Sequence, residues 1–67
     1  MRDPKRIYPA TQALADIWLN LPDWRLGQLM YNFQAHMASQ GKDIFYMEDV
    51  EFVDALRSYV DSFVFKE

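Results

Sequence analysis

Sixty-seven residues make a single domain, 1–67, and none is cysteine, which excludes a disulfide framework and thiolate zinc sites. A chain this short buries only about 60% of its extended surface, so two Trp, four Tyr and five Phe must carry much of the core. Net charge is -3, no apolar run approaches the ~18 residues of a membrane span, and no signal peptide follows Met1-Arg2-Asp3, so a cytoplasmic chain without membrane contact is expected.

Asp3-Pro4 opens the first helix, with an acid at the cap and a proline at the first helical position. Ile7, Ala10, Leu14, Ile17, Trp18 and Leu21 follow at helical spacing. Pro9 lacks an amide proton, which predicts a kink or a short first turn before a main helix at residues 9–20. Asn20-Leu21-Pro22 stops it.

The second helix is predicted from Trp24 to Ala38 with Asp23 as its cap. Its core stripe is Leu26, Leu29, Met30, Phe33 and Met37. Ser39-Gln40-Gly41-Lys42 ends it, Gly41 supplying a left-handed residue. Asp43 to Met47 is rich in aromatic and β-branched side chains and reads as an extended, packed connection with Phe45 and Met47 turned inward. Glu48, Asp49 and Glu51 place acids at the start of a third helix, where the macrodipole favours them. Phe52, Val53, Leu56, Val60, Phe63 and Val64 form its apolar face, and Arg57 is within reach of Asp54 or Asp61. The fold class is therefore all-α, a small three-helix bundle with an extended connection before the last helix.

Chemistry is sparse. His36 is the single histidine, and no base and orienting group surround a nucleophile, so no enzyme activity is expected. Asp43, Glu48 and Asp49 fit no metal-ligand spacing and are explained by capping, so neither a metal nor a cofactor is expected. Arg2, Lys5, Arg6 and Arg25 could form a basic patch, but the rest of the chain is acidic, and nucleic acid is the weaker partner class. Residues 1–42 hold five bases against three acids, and residues 43–67 two bases against seven acids. That polarity either steers a partner or lets the two halves complement each other inside one fold.

The strongest remaining candidate is Trp24, Arg25, Gln28 and Asn32, which share one region of the second helix. Tryptophan and arginine are enriched at interface hot spots. Gly27 weakens a helix unless something packs closely there or a partner approaches. The competing reading makes Trp24 a staple over the helix junction, with Arg25 paired to an acid at the start of the third helix. Sixteen per cent aromatic content exceeds what so small a core hides, so some of Tyr8, Trp24, Tyr31, Tyr46 and Phe65 should be exposed.

Arg2-Asp3-Pro4-Lys5-Arg6-Ile7, Trp18, Pro22-Asp23-Trp24-Arg25-Leu26-Gly27-Gln28-Leu29 and Phe45-Tyr46-Met47-Glu48-Asp49 together resemble an uncharacterised family of short bacterial and phage proteins. The resemblance covers nearly the whole chain, with Asp23, Gly27, Phe45, Tyr46, Glu48 and Asp49 among the residues that carry it. It implies a small cytoplasmic helical protein with no catalytic assignment. The expected function is a non-catalytic protein-interaction or accessory module, binding a protein partner or a second copy of itself. The alternative is a nucleic-acid-associated regulator of a mobile element.

Overall fold

The structure, a computed structural model, describes residues 2–64. Within them lie three α-helices, α1 (Ile7–Trp18), α2 (Leu26–Ser39) and α3 (Asp49–Val64), and two single 3₁₀ turns, Pro4–Arg6 and Ile44–Tyr46. No strand occurs among the described residues, and no helix there is long and apolar enough to cross a membrane.

The entry to α1 follows from its sequence. The Asp3 carboxylate accepts from the Lys5 amide at 2.9 Å, and Pro4 supplies the fixed φ of the first turn. A short first turn does precede α1, the 3₁₀ turn at Pro4–Arg6, but α1 begins at Ile7, two residues before the predicted start at Pro9. Pro9 itself falls in the first turn of α1, where amide protons have no partner within the α-helix. At the far end α1 stops two residues before the predicted limit. The Asn20 side-chain amide donates to the Ile17 and Asp16 carbonyls at 3.2 and 3.3 Å, satisfying groups that the ended helix leaves open.

The end of α2 is a Schellman motif. The Gly41 amide donates to Ala38 and the Lys42 amide to Met37, both at 3.0 Å, with Gly41 at φ +74°. Gly41 is where the left-handed residue was expected.

The core draws on all three helices: Ile17 from α1, Leu29, Phe33 and Met37 from α2, and Leu56, Tyr59 and Val60 from α3. Its α2–α3 seam is aromatic. Phe33 meets Phe52 edge-on at 5.2 Å and Tyr59 at 5.8 Å, Tyr59 meets Phe63 at 5.0 Å, and Phe63 meets Trp24 at 5.6 Å. Such pairs add about 0.5–1.5 kcal/mol each beyond the area they bury, which matters in a domain this small. Ile7 and Leu26, placed on the apolar stripes by spacing, are 48% and 42% exposed because they sit at helix starts, beyond the packed centre.

Helices α1 and α3 lie side by side in the same direction. Arg2 and Arg6 at the start of α1 reach Glu48 and Asp49 at the start of α3. Asp16 and Asn20 near the other end share a depression with Arg57 and Asp61. These ion pairs link the basic amino-terminal segment to the acidic third helix, so at least part of the charge asymmetry is spent within the fold.

Candidate interaction surface

Trp24 occupies the junction between α1 and α2. The Trp18 indole N–H donates to the Trp24 carbonyl at 2.7 Å, and the Trp24 ring lies against Phe63. This is the staple arrangement, and it makes Trp24 a partly buried packing residue. Asp23 does not cap α2. The residue flanking the helix is Arg25, in extended conformation, and its amide donates to Gln28 Oε1 at 2.9 Å. A guanidinium has no acceptor, so the cap runs one way, from the Gln28 side chain back to the Arg25 backbone. Helix α2 accordingly starts at Leu26, two residues later than predicted.

The expected partner of Arg25 is already taken. Glu48 holds Arg2 through both carboxylate oxygens, with Oε1 3.0 Å from the second guanidinium nitrogen, and Asp49 Oδ2 lies 2.9 Å from Arg6 Nε. The Arg2 hydrogen bonds and charge hold the Glu48 carboxyl below its usual range and raise Arg2 in turn. Among the described residues Arg25 forms no ion pair, and its side chain is exposed. Gly27 has no close packing either: a Cβ built there meets nothing within 4 Å.

Of the four candidate residues, Trp24, Gln28 and Asn32 come together with Asp23 around an open depression of about 460 Å³. Arg25 stands outside its lining. The pocket is walled by one carboxylate and two amides, with the Gln28 oxygen committed to the cap.

A second surface has a larger departure from the sequence reading. Asp43 caps the turn Ile44–Tyr46 by accepting from the Phe45 amide at 2.9 Å. Three residues per turn put Ile44 and Met47 on one side and Phe45 and Tyr46 on the others. Ile44 and Met47 therefore pack on the core, while Phe45 is 81% and Tyr46 79% exposed. The inward placement of Phe45 is thus corrected, and Met47 is where it was expected. The two exposed rings meet each other edge-on at 4.9 Å. Tyr8 and Tyr31 are exposed as well, whereas Phe65 lies outside the described residues.

No group of three His, Asp or Glu side chains converges as a metal set among the described residues. His36 stacks at 4.8 Å on Tyr59, a contact that gives it a packing role at the α2–α3 seam. Burial pushes the Tyr59 hydroxyl above the ordinary tyrosine value. Sequence reasoning missed Tyr59 as a core residue, although it sits one turn from Leu56 and Phe63 at helical spacing.

No family model, curated protein or solved structure matches the chain.

Proposed function

We propose that this chain is a small non-catalytic protein-interaction or accessory module that docks through the Phe45–Tyr46 turn. The observation that carries the reading is the exposure of two adjacent aromatic rings, each about four-fifths in solvent, on a turn whose other side chains are anchored in the core. Burying such a ring is worth about 1.5–3 kcal/mol, and a domain this small leaves that stabilisation unused in the free state. Rings held on a capped turn also lose little freedom on binding, which favours their use as anchors. Asp43 and Glu51 lie on either side of the turn in sequence and are exposed, while Glu48 is held by Arg2, so a partner with apolar groups beside cations fits best.

The nucleic-acid alternative draws less support, because Arg2 and Arg6 are each engaged by an acid. A bacterial or phage source and a cytoplasmic location belong to the same proposal and rest on the motif resemblance.

The test is affinity capture from the native host with Phe45→Ala/Tyr46→Ala beside the native chain, with Arg25→Ala as a control on the other surface. The double variant should melt as the native chain does, within about 0.5 kcal/mol, since it changes exposed groups only. Its capture of the partner should fail while Arg25→Ala captures normally. Retained capture by the double variant, or loss in Arg25→Ala alone, would sink the reading and return the interface to the Trp24 end.

A further inference from the structure

Two depressions, about one helical turn apart along α1 and α3, together trace a furrow, and no residue of α2 lines either. The middle of the furrow is apolar, formed by Pro9, Ala10 and Ala13 on one wall and Val50 and Val53 on the other, around a volume of about 430 Å³. Val50 is 74% exposed there, on a helix whose other outward positions are largely polar. At one end Arg2 and Arg6 stand on the α1 wall opposite Glu48 and Asp49 on the α3 wall. At the other end the signs are partly exchanged, with Asp16 on the α1 wall and Arg57 and Asp61 on the α3 wall.

From this layout we infer that the furrow face is the contact between two copies of the chain, packed about a two-fold axis with their α1–α3 pairs antiparallel. That arrangement brings α1 against α1 and α3 against α3 in opposite directions. Arg2 and Arg6 of one copy then face Asp16 of the other, and Arg57 faces Glu48 and Asp49, with Asp61 the one like charge brought toward those acids. Each match occurs twice, and the apolar middle meets itself. Arg57 forms no ion pair among the described residues of a single copy, so an intermolecular partner gives it a role it otherwise lacks. The Arg2–Glu48 and Arg6–Asp49 pairs are about half exposed, so they can reorganise across a contact without first being desolvated from a core.

The dimensions suit a modest association. Helices of 12 and 16 residues span about 18 and 24 Å, pack about 9 Å apart and are each about 10 Å wide, a footprint of roughly 400 Å², about half that of a standard interface, which buries about 800 Å² per partner. The dimer should therefore form with rising concentration and weaken with salt. The inference goes beyond the docking role proposed for the aromatic turn, because neither Phe45 nor Tyr46 lines the furrow.

Sedimentation equilibrium of the purified full chain over a hundredfold concentration range tests it. The mass should rise toward twice that of one chain. Val50→Asp puts a charge in the apolar middle, and Arg57→Glu sets like charges against Glu48 and Asp49. Both alter exposed side chains, so the melting temperature measured under monomeric conditions should hold, while dimer affinity falls by at least about tenfold because each change enters the contact twice. Phe45→Ala/Tyr46→Ala should dimerise as the native chain does, which separates this inference from the capture experiment. A single-chain mass at every concentration, or either furrow variant associating as tightly as the native chain, overturns the proposal.

Discussion

Replacing Gly27 by alanine tests the helix-start geometry directly. Gly27 is the second residue of α2, its φ is not positive, and an added Cβ finds nothing within 4 Å. Nothing among the described residues therefore opposes the methyl group. Alanine lowers the entropy of the unfolded chain and has the better helix propensity, together worth about 0.5–1 kcal/mol at a position free of strain. For a domain of this size each kcal/mol moves the midpoint by about 4–8 °C, so Gly27→Ala should melt roughly 2–8 °C higher. Far-UV circular dichroism on heating, paired with a urea titration of unchanged slope, measures it. A lower midpoint would refute the reasoning and mean that the methyl group meets a neighbour after all. If the variant is more stable yet captures its partner less well, close approach by that partner explains the glycine.

Arg25→Ala should leave the midpoint unchanged, whereas Gln28→Ala should lower stability by about 0.5–1 kcal/mol through loss of the bond to the Arg25 amide; equal effects in thermal melts would contradict the assigned cap. Phe33→Ala removes a fully buried ring that touches Phe52 and Tyr59 and should cost about 3–5 kcal/mol, comparable with the whole stability of a domain this size. A cooperative melt close to that of the native chain would contradict it. Tyr59 binds its proton more tightly in the folded state than in the unfolded one, so stability should fall as pH rises above the ordinary tyrosine value of 10.0 toward the higher folded value. Glu48 runs in the opposite sense: its pairing with Arg2 contributes above the carboxylate value of 4.5 and is lost as pH falls through the lower folded value. Urea midpoints across pH, with Tyr59→Phe and Glu48→Gln as references, check both signs.

Much of the architecture was legible because it depends on local chemistry. Asp3-Pro4 starts a helix through a cap and a fixed φ, Gly41 ends one through its left-handed backbone, and the apolar spacing of Leu29, Phe33 and Met37 identifies the buried side of α2. The site was less legible, for three separate reasons. Alternation with a period of two puts Phe45 and Met47 on one side, but a 3₁₀ turn has a period of three and pairs Ile44 with Met47. Asp23 has the better capping side chain, yet the chain does not become helical until after Arg25, and Gln28 supplies the bond. The partner of Arg25 depended on which cations reach α3 first, a matter of helix direction that spacing along the chain does not encode.

The docking role rests on Phe45 and Tyr46 being the part of the chain that a partner covers. Titrating the captured partner into isotope-labelled chain, with amide and aromatic ring resonances followed by nuclear magnetic resonance, tests this most directly. The largest shifts should fall on Asp43 through Val50, including both rings, with residues 23–32 little changed. Shifts centred on Asp23, Trp24, Gln28 and Asn32, with the Phe45 and Tyr46 rings unmoved, would contradict it.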